Sequence, residues 1–245
     1  MIETPFDIYL VGGAVRDEIM GRPIKDNDFT CECKSFDEMY DFVNNISERI
    51  YDIPNAEFNL CLRARFHKEP FLLNGQSYTG DLDFACCRKE VGYSDGRHPD
   101  VVTIGTLKED LSRRDFCMNA IARVPGTKRY IDPYHGRRDI KNELIRCVGD
   151  PNIRFQEDAL RIVRALRFSV TLGFNIDIAT NAAMGDLANL KRLSGVSIDR
   201  RRDELQKMFK ADTILALEAL NHHNDLMWSL FDDTDLWLNP TNKKR

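Results

Sequence analysis

The chain has 245 residues, of which 42% are hydrophobic and 30% are charged, and its net charge is −4 at pH 7. This length accommodates two modest domains, and the composition is that of an ordinary folded protein, which excludes a disordered chain or a membrane protein. The negative charge also excludes a uniformly basic nucleic-acid-binding protein, although arginines cluster in the central and later parts of the sequence.

Compartment signals in the sequence favour the cytoplasm. The N-terminus has no signal-peptide pattern, and no apolar run approaches the ~20 residues needed to cross a bilayer. Seven cysteines at irregular spacing fit a reducing compartment better than a disulfide framework. Four of them favour buried apolar positions over a thiolate metal site, because none follows a zinc spacing: Cys31, Cys33, Cys86 and Cys87.

Strand and helix patterns alternate in the first part of the chain. Strands are predicted at 7–11, 26–33, 59–66 and 81–86, and helices at 14–20 and 35–49. Ser35 is placed to cap the second helix, with Glu38 in the capping-box position. The polar, glycine-rich segment 88–100 has no periodicity and predicts a mobile loop.

From about residue 149 the pattern becomes helical. An amphipathic stripe at spacings of three and four runs through Leu160, Val163, Leu166 and Val170. Further helices are predicted at 181–190, 198–209 and 213–221. We therefore expect an α+β protein, with a mixed α/β domain over residues 1–135 and an all-helical domain over 136–245.

The most informative segment follows the first predicted strand. Gly12 and Gly13 lack side chains, so the backbone can approach a phosphate closely, and the following helix directs free N–H groups at the same anion. Asp26 and Asp28 lie two residues apart. On an extended strand both carboxylates would project from one face, where a hard cation such as Mg2+ can bind them together. The segment predicts a nucleotide cradle beside a metal platform.

The block Gly12-Gly13-x-x-Arg16-Asp17 followed by Asp26-x-Asp28 resembles the signature of the class II tRNA nucleotidyltransferase and bacterial poly(A) polymerase family. The resemblance continues in the family order over roughly residues 7–220. It implies a nucleotidyltransferase head with a mixed sheet, similar to polymerase beta, followed by a helical neck. Residues 131–140 look like the connection between the two, and 201–208 like a helix that braces the base-reading segment.

Within the family, a third carboxylate helps to hold a metal and to orient the attacking hydroxyl, as two-metal phosphoryl transfer requires. Asp83 fits that position, counted back from Arg88, and Asp81 on the same strand face is the alternative. The resemblance therefore implies that Asp26, Asp28 and Asp83 are catalytic, and that Asp26 and Asp28 bind the metal.

Residues 110–121 resemble the family motif Arg-Arg-Asp-Phe-Thr-x-Asn-Ala, with Cys117 in place of the usual threonine. The substitution keeps the volume roughly but removes a hydroxyl. Guanidinium forks can grip triphosphate oxygens, and a carboxylate such as Asp115 can accept a hydrogen bond from a ribose hydroxyl. The nucleotide-binding residues expected outside the base-reading segment are Gly12, Gly13, Arg16, Arg113, Arg114, Asp115, Asn119 and Arg164.

Residues 154–161 resemble the Glu-Asp-x-x-Arg motif that reads the incoming base. Cytosine and adenine both present an amino donor beside a ring-nitrogen acceptor. A carboxylate, Asp158, paired with a guanidinium, Arg161, would accept these two bases and reject uracil and guanine. The three-residue spacing predicts that both lie on one helix face.

The resemblance implies an enzyme that adds C and A from CTP and ATP to the 3′ end of tRNA with Mg2+. Three alternatives stay open: a poly(A) polymerase, an enzyme that adds one nucleotide type or acts on another RNA, and a catalytically silent RNA-binding protein. Family members typically continue into further helical domains. We therefore expect either a compact member or an acceptor RNA held by a partner, which includes a second copy in a homo-oligomer.

Overall fold

The computed structural model describes residues 4–94, 96 and 98–231. Contacts divide these described residues into two compact units: the residues up to Gly92 with Pro99–Ile140, and the short segment from Tyr93 to His98 with the residues from Lys141 onward. No helix in these described ranges is long and apolar enough to span a bilayer. The functional division after residue 135 stays a prediction.

The first unit is built on a mixed seven-stranded sheet. Its elements in chain order are β1 (Asp7–Val11), α1 (Gly13–Ile19), β2 (Asp28–Glu32), α2 (Phe36–Ile46), β3 (Arg49–Ile50), α3 (Ala56–Asn59), β4 (Cys61–Leu73), β5 (Gln76–Cys86), β6 (Arg88–Val91), β7 (Val101–Ile104), α4 (Leu107–Ser112), a 3-10 turn (Cys117–Asn119), β8 (Ala122–Arg123), β9 (Tyr130–Ile131) and α5 (Gly136–Lys141). The sheet order is β3-β4-β5-β2-β1-β8-β9, and β6 and β7 form a separate pair. Only the β2–β5 pairing within the described sheet is parallel.

Alternation along the strands separates the core from the site. Phe29 of β2 and Phe84 of β5 are 1% exposed and stack at 5.2 Å between ring centroids. Their neighbours in sequence, Asp28 and Asp83, point to the opposite face because successive side chains alternate across a sheet. The aromatic core therefore fixes the strand register that brings these two carboxylates together.

Several element bounds differ from the predictions. β2 begins at Asp28, so Asp26 precedes the strand instead of lying on it. The strands predicted at 59–66 and 81–86 form the end of a long hairpin that is far from its turn, Asn74-Gly75, with φ of 50° and 79°. The first of these strands begins at Cys61, because Asn59 ends α3. Asn-Gly favours this two-residue turn because both positions need positive φ.

The segment 88–100 is not entirely a loop. β6 pairs with β7 in an antiparallel register that places Arg88 opposite Ile104 and Val91 opposite Val101. The β-branched run Val101–Ile104 supplies the hydrogen-bonding partner that makes the polar segment a strand. Because this partner lies beyond the segment, periodicity within 88–100 does not reveal the strand.

The second unit is helical, as predicted, and also contains one short parallel pair of strands. Its elements are β10 (Leu144–Ile145), α6 (Pro151–Glu157), α7 (Leu160–Leu172), β11 (Asn175–Ile176), α8 (Ile178–Met184), α9 (Leu187–Ser194), α10 (Ile198–Ala211), α11 (Thr213–His222) and α12 (Asn224–Phe231). The helix predicted at 181–190 is broken, because the side chain of Asp186 accepts hydrogen bonds from Ala188 and Asn189 and starts α9.

Candidate functional site

The glycine turn between β1 and α1 lies beside two other predicted site residues. Gly12 has φ of 70° and ψ of −137°, a conformation that residues with a Cβ rarely adopt. A Cβ on Gly12 would lie 3.2 Å from Nη1 of Arg114 and 3.7 Å from Oδ2 of Asp28. The turn, the guanidinium and the carboxylate therefore share one small space, which the absence of a side chain at Gly12 keeps open.

Asp28 and Asp83 lie side by side in the parallel β2–β5 register. Burial raises the pKa of Asp28, and the carboxylates of Asp83 and Asp26 raise it further, whereas Arg114 and Arg63 act in the opposite direction. The other two predicted catalytic acids thus act electrostatically on Asp28, although Asp26 lies outside the strand. A buried carboxylate whose pKa is raised by neighbouring acids is typical of sites that bind cations or transfer protons.

The two candidate acids on β5 have different surroundings. Asp83 accepts two hydrogen bonds from Arg63, both at 2.6 Å. Asp81 accepts from Tyr51 at 2.8 Å and pairs with Arg65 at 3.4 Å. Only Asp83 of the pair is in register with Asp28. The geometry therefore favours Asp83 over Asp81 as the partner of the predicted metal-binding acids.

The donor chemistry of these acids fits a hard divalent cation, because carboxylate oxygens are the ligands that Mg2+ prefers. In the part of the chain that the structure describes, no group of three or more His, Cys, Asp or Glu side chains is arranged to hold a metal ion. Cys31, Cys33, Cys86 and Cys87 are free thiols in buried positions.

A buried acid that the sequence reading missed organises the two motif arginines. Asp110 of α4 is 0% exposed and accepts from Arg113 at 2.6 Å and from Arg114 at 3.0 Å. Burial alone would raise the pKa of Asp110, but the two guanidinium groups outweigh it and lower the pKa. The sequence signal for these two ion pairs was the spacing of three and four residues between Asp110 and the arginines. Arg113 also pairs with Glu90 at 3.1 Å.

A polar chain links α1 to the 3-10 turn. Arg16 is 9% exposed and donates from Nη1 to Oδ1 of Asn119 at 2.8 Å. The Asn119 amide donates to Oδ1 of Asp115 at 3.0 Å. Hydrogen bonds thus connect three predicted nucleotide-binding residues, Arg16, Asn119 and Asp115. Gly13, also predicted to bind the nucleotide, is the first residue of α1. Cys117 lies in the same turn and is 3% exposed.

In the second unit, Asp158 and Arg161 do not share one helix face. Asp158 is extended, with φ of −151°, between the end of α6 and the start of α7. Its Oδ1 accepts from the backbone N–H of Leu160 at 3.1 Å, which satisfies a donor at the start of α7. This local bond competes with a continuous helix and explains why the three-residue spacing was misleading.

The two base-reading candidates have separate partners. Asp158 pairs through Oδ2 with Nη2 of Arg200 on α10 at 2.8 Å, and Arg161 pairs with Glu157 at 2.7 Å. Arg200 was noted in the sequence only as part of a basic cluster. Arg164 is another predicted nucleotide-binding residue, and its Nη1 lies 3.7 Å from Oε1 of Glu204 on α10.

Fold and site together define a class of protein. A mixed sheet that carries acids on neighbouring strands, beside a glycine turn and an arginine pair, is the arrangement of a nucleotidyltransferase head. Residues 8–146 match the family described as "Poly A polymerase head domain", and residues 173–231 match "Probable RNA and SrmB- binding site of polymerase A". The chain belongs to the poly(A) polymerase head-domain family.

Its curated relatives include CCA-adding enzymes. The chain is 35% identical over 235 residues to that of Lactobacillus helveticus (strain DPC 4571), covering 96% of this chain and 51% of the relative. It is 37% identical over 217 residues to that of Geobacillus thermodenitrificans (strain NG80-2), covering 88% of this chain and 48% of the relative. The chain thus spans about half the length of these relatives.

Solved structures are similar over most of the chain. The Bacillus stearothermophilus CCA-adding enzyme in complex with CTP matches with a TM-score of 0.70 at 31% identity, covering 92% of this chain and 53% of that one. A tRNA nucleotidyltransferase complexed with a primer tRNA and an incoming ATP analog matches with a TM-score of 0.72 at 26% identity, covering 93% and 60%.

Proposed function

We propose that this protein is a template-independent nucleotidyltransferase that adds C and A from CTP and ATP to the 3′ end of tRNA. The observation that carries the proposal is the meeting of Gly12, Arg114 and Asp28 beside Asp83 in the first unit. The CCA-adding relatives support the choice of substrates. We also propose that the protein acts in the cytoplasm.

In the proposed reaction, Arg113 and Arg114 bind the triphosphate, and Asp110 holds both guanidinium groups in place. Gly12 leaves room for the phosphates next to Arg114. Asp115, oriented by its bond from Asn119, accepts a hydrogen bond from a ribose hydroxyl and favours ribonucleotides. These residues bind and orient the nucleotide, which lowers the entropic cost of reaching the transition state.

Asp26 and Asp28, with help from Asp83, would hold Mg2+. When bound, the ion supplies positive charge that stabilises the negative charge developing on the transferred phosphoryl group. Asp83, as the register partner of Asp28, would also help to orient the 3′-hydroxyl of the RNA. The preference for Mg2+ over other divalent ions is part of this proposal.

Base selection is assigned to Asp158 and Arg161. The carboxylate accepts from the amino group that cytosine and adenine share, and the guanidinium donates to the adjacent ring nitrogen. Arg200 donates a hydrogen bond to Oδ2 of Asp158 and thereby fixes the orientation of the Asp158 carboxylate. Uracil and guanine carry a carbonyl oxygen at the position of this amino group. The carboxylate of Asp158 would then face a second acceptor, with no hydrogen to share between them.

A poly(A) polymerase is the second candidate, because the matching family is described as a poly A polymerase head domain. Both candidates need the same head residues and differ in when addition stops. A homo-oligomer, in which a second copy holds the RNA, is compatible with either.

The test offers tRNA transcripts that end before CCA, after C and after CC to the purified protein with Mg2+ and labelled CTP and ATP. Addition that stops at CCA is the expected result. Long A tails would establish the second candidate, and addition of one nucleotide type would indicate a specialised enzyme. An Asp28→Asn variant is the control that is expected to be inactive, and addition at the wild-type rate by this variant would contradict the proposed role of Asp28.

A further inference from the structure

Arg63 makes an unusually complete contact with the third carboxylate of the head site. It lies on β4 directly opposite Asp83 in the antiparallel register with β5. Its Nε and Nη2 donate to Oδ1 and Oδ2 of Asp83, each at 2.6 Å. One guanidinium thus engages both oxygens of Asp83 in the two-pronged geometry that is strongest for this pair of groups.

The position of this ion pair argues against a purely structural role. The side chains of Arg63 and Asp83 are 51% and 34% exposed, and exposed pairs contribute little to folding stability. Asp83 faces the cation-binding candidate Asp28 in the neighbouring strand. The pair therefore lies at the edge of the proposed cation site, where its charge affects ligand binding more than folding.

Arg63 also supplies what a crowded acidic site needs when no cation is bound. Asp26, Asp28 and Asp83 bring three negative charges into mutual influence, and a positive charge offsets their repulsion. A divalent cation would offset the same repulsion through the same carboxylate oxygens. Guanidinium and cation are therefore alternative partners of Asp83.

We propose that Arg63 is an internal counter-ion of the cation site, which engages Asp83 in the absence of a divalent cation and is displaced from it when the cation binds. The proposal rests on the proposed function, because it needs Asp28 and Asp83 to face one cation. In this proposal Arg63 acts through Asp83 and is a positioning residue.

The chain contains a matched control for this proposal. Arg65 and Asp81 face each other on the same two strands, two residues further along. They also form an exposed ion pair, at 3.4 Å, with side chains that are 41% and 40% exposed. Since Asp81 is not in register with Asp28, Arg65→Ala removes an equivalent charge from the same surface without changing the partner of Asp83.

The experiment is a Mn2+ titration of the metal-free protein, with free Mn2+ followed by its electron paramagnetic resonance signal. Arg63→Ala is expected to bind Mn2+ about 3- to 10-fold more tightly than the wild type, the effect of one unit charge at about 6 Å in a largely aqueous dielectric. Arg65→Ala is expected to bind it like the wild type. Unchanged or weaker binding by Arg63→Ala would overturn the proposal, as would an equal gain in both variants.

An Asp28→Asn variant separates failure of this inference from failure of the proposed function. If Asp28→Asn binds Mn2+ as well as the wild type does, the cation site itself is misplaced, and the counter-ion proposal falls with it. If Asp28→Asn loses Mn2+ binding while Arg63→Ala equals the wild type, the cation site stands and only the role of Arg63 is wrong. Circular dichroism of each variant verifies that it is folded.

Discussion

At the residue scale, Gly12 shows how a missing side chain shapes the head site. Alanine at this position would adopt an unfavourable φ of 70° and place its Cβ 3.2 Å from Nη1 of Arg114. The backbone strain costs about 1–2 kcal/mol. We expect Gly12→Ala to raise the KM for CTP about tenfold, which corresponds to about 1.4 kcal/mol of lost nucleotide binding. Single-nucleotide addition to a tRNA that lacks CCA measures this change.

Gly75 provides the control for the effect of strain alone. It has φ of 79°, and a Cβ added there would meet nothing within 4 Å. Gly75→Ala is therefore expected to lower thermal stability to a similar extent and to leave the KM for CTP unchanged. If the two variants have the same KM, the space beside Arg114 is not used by the nucleotide.

At the scale of elements, α4 positions two arginines through one buried acid. Asp110→Asn would leave Arg113 and Arg114 without their shared carboxylate and is expected to lower the free energy of unfolding by about 3 kcal/mol at pH 7. The pKa of Asp110 is lower in the folded protein than the usual 3.8. The ionised carboxylate therefore contributes its full stabilisation above pH 3.8, and this stabilisation is lost as the pH falls below 3.8.

Urea denaturation between pH 7 and pH 3 measures how the free energy of unfolding differs between the wild type and Asp110→Asn at each pH. The stability gap between the wild type and Asp110→Asn should be constant from about pH 7 to 5 and narrow below about pH 4. Asp41→Asn, an exposed position on α2, serves as the control with no expected gap. A gap that widens on acidification would contradict the assignment of Asp110 as an ionised partner of the arginines.

A second element, α10, contacts the non-helical residue between α6 and α7, because its Arg200 pairs with Asp158. Arg200→Ala would remove the 2.8 Å bond to Oδ2 of Asp158 and free that carboxylate to reorient. We expect the KM for CTP and for ATP to rise together by about 5- to 10-fold, equivalent to about 1.0–1.4 kcal/mol. Arg202→Ala, which removes a pair with exposed Asp199 on the same helix, should change neither KM. A rise for only one nucleotide would indicate direct base contact by Arg200.

Elements with local signals were predictable, and those that depend on distant partners were not. Ser35 caps α2 as expected, because its side chain accepts from the N–H of Glu38 at 3.1 Å. The Glu38 carboxylate, in contrast, accepts from the N–H of Lys34 at 2.7 Å instead of completing a capping box. β6 was missed because its partner strand is separate in sequence. The Asn74-Gly75 turn was a local signal for a hairpin and could have extended both predicted strands.

At the scale of the whole molecule, the same distinction separates the site residues. Gly12, Asp28 and Arg114 were identified from motifs, and the fold brings them within one small space. Arg63 and Arg200 were not, because their roles come from cross-strand register and helix packing that sequence spacing does not encode. The residues around the site, more than the motif residues themselves, required the structure.

The cation site also affects the stability of the whole protein. Burial and the nearby carboxylates of Asp83 and Asp26 raise the pKa of Asp28, so its charged form opposes folding at neutral pH. In metal-free buffer, Asp28→Asn should therefore have a higher Tm than the wild type, because the amide has no charge to bury. Mg2+ should raise the Tm of the wild type, because it binds only the folded state, and should leave that of Asp28→Asn unchanged.

Differential scanning calorimetry with and without Mg2+ tests this reversal of the stability order. Asp81→Asn is the control, since it removes an exposed acid of the same strand, whose pair with Arg65 contributes little to stability, and it should leave the Tm nearly unchanged in both buffers. A lower Tm for Asp28→Asn in metal-free buffer would mean that Asp28 is a favourable structural acid. The expected order would instead show that the charge of Asp28 disfavours folding until a cation binds, as a residue with a role in cation binding would.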